Sequence, residues 1–262
     1  MSPPTIAVVG TGDFSTYLIA GLRKGGFSGR ILLSPHSRAK ADALAAIYGC
    51  TVATDETSML ADADWVLFAV RPEQVADTLP KLSLRATQVL ISAVAGLTIA
   101  DIRAAMGKGT SVVRIMPSSY IDTIDQGLIP IFPASSRVEA VLSLVGKVMT
   151  FDTEDQFEFA MIGACLAGWM YRFVGSLESW FVEHGLTPSQ ARLTVAGNIA
   201  GAAGYALERP DLSLNRISDQ IATPGTYTKA GLDHLCERQA VLPWIDALDI
   251  VFQRRFTSPG GM

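Results

Sequence analysis

Two hydrophobic patterns share this 262-residue chain, and one gives way to the other near Thr153. Ahead of that point, short apolar runs alternate with segments of helical spacing. The runs predict strands over Thr5–Val9, Arg30–Ser34, Thr51–Ala53, Trp65–Val70, Val89–Val94, Ser111–Met116, Leu128–Phe132 and Val148–Phe151. Trp65–Val70 is apolar at nearly every position, as a strand covered on both faces must be. Helical spacing over Tyr17–Leu22, Ala39–Tyr48, Thr57–Ala61 and Ser136–Gly146 fills intervals between strands. That alternation predicts an α/β fold with a doubly wound parallel sheet. Beyond Thr153 no alternating strand pattern appears. Helices are predicted over Glu158–His184, Thr187–Glu208, Pro224–Arg238 and Val241–Phe256. Thr187-Pro188 and Thr223-Pro224 read as helix caps with proline in the first turn. The expected organisation is an α/β domain over 1–152, an all-α domain over 153–256 and a disordered tail over 257–262.

The first strand runs into Gly10-Thr11-Gly12-Asp13-Phe14-Ser15 and then a helix. Dinucleotide-binding folds need small residues in this order. The first permits the tight turn, the second lets a pyrophosphate reach the backbone, and the third lets helix and strand pack closely. An ordinary strand-to-helix turn can carry the same letters, and Ser15 stands where a third glycine is usual. The place at the start of an α/β pattern favours a Rossmann-type domain, with Gly10, Thr11, Gly12, Asp13 and Phe14 at the cofactor. NAD-binding domains place an acid at the end of the second strand. Here that place holds Ser34-Pro35-His36-Ser37-Arg38, with Lys40 beyond. The hydroxyls of Ser34 and Ser37 and the Arg38 guanidinium suit a 2′-phosphate, so NADP(H) is the expected cofactor. The alternative is a solvated basic helix start.

The formal net charge of −4 gives no reason to expect nucleic acid or an anionic membrane surface as a partner. The chain is 49% hydrophobic and its mean hydropathy is +0.30, rich enough to expect a subunit interface. The longest uncharged apolar run, Phe159–Tyr171, falls short of a bilayer's thickness. No signal peptide is expected before the first strand. Cys50, Cys165 and Cys236 are too scattered for a disulfide framework or a metal pattern, and His36, His184 and His234 share no ligand spacing. No metal site is expected, and a reducing cytoplasm is the expected location.

A nicotinamide site needs little protein chemistry beyond positioning and charge neutralisation. Gly163-Ala164-Cys165-Leu166-Ala167-Gly168-Trp169-Met170 lacks the lysine that a 3-hydroxyacid dehydrogenase carries after its glycines, and no Ser-Tyr-Lys arrangement is present. Alcohol oxidation therefore lacks an evident base. Reduction of a C=N bond demands less, because a protonated iminium accepts hydride readily.

At this point a resemblance becomes specific. Ala69-Val70-Arg71-Pro72-Glu73-Gln74 resembles the A-V-K-P-Q segment of the pyrroline-5-carboxylate reductase family. Ile91-Ser92-Ala93-Val94-Ala95-Gly96 resembles its I-S-x-x-A-G, and Val113-Arg114-Ile115-Met116-Pro117 its V-R-x-M-P. Thr223-Pro224-Gly225-Thr226-Tyr227-Thr228 resembles its S-P-G-G-T-T, with Ala230-Gly231-Leu232 following. The resemblance implies NAD(P)H-dependent imine reduction in proline biosynthesis and a homodimer, or a larger assembly, built through the helical domain. It adds Ala69, Val70, Arg71, Pro72, Ala93 and Ala95 to the cofactor set. Pro117, Ser118, Thr223, Gly225, Thr226 and Tyr227 become the substrate set, with Thr228 nearest the reacting imine.

The departures fall mainly at substrate motifs. Ser118-Ser119-Tyr120 replaces Asn-Thr-Pro, Cys165–Tyr171 replaces S-G-S-G-P-A-Y, and Thr226-Tyr227 brings bulk to the last motif. Read without the family, Thr223 caps a helix whose free amides, those of Gly225 and Thr226, hold a carboxylate; a capped helix that binds nothing is the alternative. The expected activity is NADPH-dependent reduction of a small cyclic imine bearing a carboxylate. Two other readings stand beside it: another C=N or C=O substrate on the same architecture, or a non-catalytic NADP-binding sensor.

Overall fold

The computed structural model describes residues 2–118, 121–123 and 127–257, with backbone only from 255 onward. The chain divides into two compact units, 1–161 with 255–262, and 162–254.

The first unit is built on eight strands: β1 Ile6–Val9, β2 Ile31–Leu33, β3 Thr51–Val52, β4 Trp65–Phe68, β5 Val89–Ser92, β6 Ser111–Ile115, β7 Leu128–Phe132 and β8 Lys147–Thr150. Six helices connect or cover them: α1 Asp13–Lys24, α2 Arg38–Tyr48, α3 Glu56–Asp62, α4 Val75–Thr78, α5 Ile99–Met106 and α6 Ser136–Leu142. The sheet order is β3-β2-β1-β4-β5-β6-β7-β8. β1 lies inside, its Ile6 in register with both Ile31 of β2 and Trp65 of β4. Successive side chains of β1 serve opposite faces. Ile6 and Val8 join a core with Leu18, Ile19 and Leu22 of α1, while Ala7 and Val9 join another with Met59 and Leu60 of α3. Burial on both faces is why these strands read as unbroken apolar runs.

One strand departs from the expected all-parallel sheet. β7 runs antiparallel to β6, with Arg114 opposite Phe132. A parallel return needs a crossover long enough to hold a helix. The described residues between Ile115 and Leu128 contain none, so the chain turns back beside β6. β8 then pairs parallel with β7.

Arg114 of β6 is 1% exposed. Its guanidinium pairs with Glu154 at 2.7 Å and with Glu158, and lies 4.8 Å over the Phe157 ring. Glu154 also accepts the Ile99 amide at 2.9 Å. The buried cation thereby fixes the first turns of the next helix, α7 Glu154–Glu183, within the first unit.

The second unit holds the rest of α7, α8 Pro188–Glu208, α9 Leu214–Ile221, α10 Tyr227–Glu237 and most of α11 Leu242–Thr257. Thr187 caps α8, its hydroxyl accepting the Gln190 amide. α9 was absent from the sequence prediction, although Ser213 caps it and Leu214, Ile217 and Ile221 share one face. Only Ala191, Val195 and Ala222 are fully buried among the described residues of this unit. Trp244 packs edge-on against Trp169 and Phe173, at centroid distances of 6.4 and 5.6 Å. Tyr171, Leu193, Leu207 and Val241 stand largely in solvent. The expected tail over 257–262 lies outside the described residues, apart from the Thr257 backbone that ends α11.

Candidate functional site

Backbone geometry singles out the turn after β1. Gly10 has φ +98°, and a Cβ there would meet the Ala69 carbonyl oxygen at 2.5 Å, so both conformation and space require glycine. Gly12 precedes α1, and a Cβ on it would meet nothing within 4 Å. The space above the first turn of α1 is therefore open to a ligand, where unpaired amides and the helix dipole favour phosphate. Ser15 fills the third small position in an unexpected way. It is fully buried, and its hydroxyl donates to the Gly10 carbonyl at 2.5 Å, which ties the helix back to the turn. Thr11 is buried, and Phe14 packs into the core. The cradle fits a dinucleotide pyrophosphate through its backbone.

The carboxyl ends of neighbouring strands bring the other residues expected at the cofactor to the same edge. Ala69 and Val70 follow β4, with the Ala69 amide donating to Val9 at 2.9 Å. Arg71 is exposed 3.9 Å from Glu73, and Pro72 opens a short 3₁₀ turn. The half-buried Ala93 follows β5, its amide donating to Phe68 at 2.9 Å, and Ala95 is exposed two residues on. Pro117, buried, and Ser118 follow β6. Ser118 is engaged locally, its amide and hydroxyl donating to the Leu128 carbonyl at 3.1 and 3.2 Å.

After β2, the Ser34 amide donates to Val8 at 3.0 Å, while its buried hydroxyl has no partner. Ser37 precedes α2, is exposed and makes no side-chain capping bond. Arg38 is exposed too, its Nε 3.0 Å from both carboxylate oxygens of Asp42. Sequence reasoning missed the acid that stands beside this segment. Parallel pairing of β3 with β2 carries Glu56, at the start of α3, to 3.3 Å from His36 Nε2. An acid opening the helix after the third strand was visible in the sequence; its neighbour across the sheet was not.

In the second unit the substrate motif differs from expectation. Thr223 does not cap the helix. Gly225 takes φ +85°, which no helix continues through, so α10 starts at Tyr227 and Thr226 is its cap. The Thr226 hydroxyl accepts the Lys229 amide at 3.2 Å and donates to the Thr223 carbonyl at 2.7 Å. The Thr226 amide is also engaged with that carbonyl, at 3.1 Å, so it is not available to an anion. The first-turn amides of Tyr227 and Thr228 are those a helix leaves without an internal acceptor. Thr228 is exposed beside Tyr227, whose side chain is 99% exposed.

Among the described residues no group of His, Cys, Asp and Glu is placed to hold a metal ion. Burial pushes the Cys50 thiol up, with nearby Arg23 acting against it, so Cys50 is a poor nucleophile at neutral pH.

Comparison with known proteins fits both units. Residues 5–96 match the family described as NADP oxidoreductase coenzyme F420-dependent, and residues 154–257 match the pyrroline-5-carboxylate reductase dimerisation family. A pyrroline-5-carboxylate reductase of Pasteurella multocida is 24% identical, over 91% of this chain and 92% of that one. The chain is similar to pyrroline-5-carboxylate reductases along about nine-tenths of its length. The relatives are thus named as reductases, and the family matched by the first unit is named for NADP oxidoreductases. The fold agrees with the crystal structure of the Streptococcus pyogenes 1-pyrroline-5-carboxylate reductase at a TM-score of 0.85 and 20% identity, over 97% of this chain and 99% of that one. A Plasmodium falciparum pyrroline carboxylate reductase solved with NADP bound gives 0.84 at 18% identity, over 97% and 98%.

The family match also bears on the exposed apolar surface. α7 is long and apolar enough to cross a membrane by length and composition, which the short uncharged run had not suggested, and its most apolar window is nowhere buried inside the chain. That helix opens the segment matched by the dimerisation family, where a partner helix would cover such a surface.

Proposed function

We propose that this protein is an NADPH-dependent reductase of a small cyclic imine carrying a carboxylate, working as a homodimer through its helical unit. The observation that carries the reading is the cradle after β1, where Gly10 is tucked under Ala69 and open space lies over Gly12. When bound, a reduced nicotinamide supplies the hydride. The backbone of Gly10 to Phe14 holds the pyrophosphate, and Ser37 and Arg38 receive the 2′-phosphate. Ala69 to Pro72, Ala93 and Ala95 line the edge along which the rest of the cofactor lies. The first turn of α10 takes the substrate carboxylate through the amides of Tyr227 and Thr228, with the helix dipole adding to the attraction. Thr223 and Gly225 shape the turn that presents those amides, while Thr226 holds it closed by its hydroxyl. The Thr228 hydroxyl hydrogen-bonds the imine nitrogen or relays a proton to it from water, because it is too weak an acid to protonate the nitrogen alone.

The test compares NADPH oxidation with 1-pyrroline-5-carboxylate, its six-membered homologue and plain 1-pyrroline. At least one acid should be reduced with kcat/KM at least about tenfold above plain 1-pyrroline, since a substrate without the carboxylate loses its charge-assisted hydrogen bonds to the α10 amides. Equal turnover of plain 1-pyrroline overturns the carboxylate anchor. No turnover of any of the three overturns the imine reading.

A further inference from the structure

The segment after β2 carries three side chains able to hold positive charge, and each faces an acid. His36 Nε2 lies 3.3 Å from Glu56, Arg38 Nε 3.0 Å from Asp42, and Lys40 Nζ 3.9 Å from Asp13. With histidine counted as neutral, the formal charge at this rim is one negative, which does not favour an anion. Glu56 differs from the other two acids. Its side chain is 24% exposed, against 52% for Asp42 and 88% for Asp13. Its Oε2 faces His36, while its Oε1 is buried and has no hydrogen-bond partner. The Ser34 hydroxyl, two residues before His36, is buried and equally without a partner. Two orphaned polar atoms thus occur on adjacent connections, one closing β2 and the other following β3. Buried acceptors of this kind are rarely left empty in a working protein. A carboxylate oxygen needs a donor. A sugar hydroxyl supplies one, and a phosphate dianion does not.

We infer that Glu56 is a specificity-determining residue for the dinucleotide, accepting from a hydroxyl of the adenosine ribose and opposing a 2′-phosphate, so that NADH binds alongside NADPH. The inference rests on reading the β1–α1 turn as a dinucleotide cradle. Glu56 and Arg38 then act with opposite sign, Arg38 drawing in the phosphate and Glu56 the bare ribose. Ser34, whose hydroxyl can donate or accept, serves either nucleotide. The acid that NAD-binding domains carry at the end of their second strand is supplied here from the next strand across.

Isothermal titration of the full-length protein with NADPH and with NADH tests this without any substrate. Glu56→Gln removes the charge but keeps the shape and an acceptor. It should tighten NADPH about fivefold to tenfold and leave NADH within about threefold. Glu56→Ala removes the acceptor as well and should weaken NADH about tenfold. If the ratio of the two dissociation constants stays within about twofold of wild type in Glu56→Gln, the role assigned to Glu56 is overturned; the isosteric variant decides even where the alanine variant does not fold. Wild-type protein that binds neither nucleotide overturns the cradle reading and this inference with it. Wild-type protein that binds both, with a ratio that Glu56→Gln does not move, overturns the inference alone.

Discussion

In the first unit, Ile6, Ala7, Val8 and Val9 of the inner strand β1 are all buried, and α1 and α3 close over the two faces. In the second, Tyr171, Leu193 and Leu207 stand mostly in solvent, and the residues fully buried among those described in that unit are few and small. The first unit meets its needs within one chain. The second carries an apolar exterior that only another surface can cover, so its stability is tied to protein concentration, as for obligate dimers generally. Chemistry divides largely along the same line: backbone geometry in the α/β unit suits a cofactor, and two of the three segments that depart from the family's substrate motifs, Cys165–Tyr171 and Thr226-Tyr227, sit in the helical one.

The largest expected effect would break the self-sufficiency of the first unit. Arg114→Ala leaves Glu154 and Glu158 facing each other without their cation, and removing one partner of a buried ion pair costs about 3–5 kcal/mol. Chemical denaturation of the full chain should show the α/β transition moved by that amount; a loss under about 1 kcal/mol would mean that the cluster is not a structural anchor. Next comes the apolar exterior. Leu193→Glu and Tyr171→Glu should alter the unfolding of an isolated subunit by no more than about 0.5 kcal/mol, because both positions are exposed there. In the dimer the pair should cost at least about 2 kcal/mol, roughly thirtyfold in dissociation constant. Sedimentation velocity decides it, and an unchanged dimer would place the interface elsewhere.

Two smaller effects sharpen the chemical division. Thr228→Ala should lower kcat by roughly tenfold to a hundredfold with nucleotide binding intact, in line with the loss of one positioned polar group. A kcat within a factor of two of wild type on the substrate that is turned over would remove Thr228 from the reaction. Arg38→Ala should weaken NADPH by about tenfold and spare NADH, the loss of one charge-assisted phosphate contact. Equal losses for both nucleotides, measured by titration, would assign Arg38 to general stability instead.

How much of this was legible depended on how local the cause was. The strands could be read because burial on both faces leaves continuous apolar runs, and the cofactor turn because Gly10 has a steric need that no other residue meets. The excess of apolar residues pointed to an interface, and the resemblance placed it in the helical domain. Direction is not written in an apolar run, so the reversal of β7 was not visible. Thr223 was misassigned because Thr-Pro mimics a cap; the deciding fact is the φ of +85° at Gly225, a property of the folded backbone. Glu56 escaped notice because its neighbour His36 lies across the sheet, on the connection from another strand.

The hydroxyl of Ser15, bonded to the Gly10 carbonyl at 2.5 Å, bears on time as well as shape. Ordering a flexible backbone residue costs about 1–2 kcal/mol, and a loop that must be ordered by its ligand levies that cost on every binding event. Here the turn is held from within when the subunit folds. A nucleotide meets a seat that already exists, and its arrival is governed by diffusion and orientation instead of waiting for the loop to close.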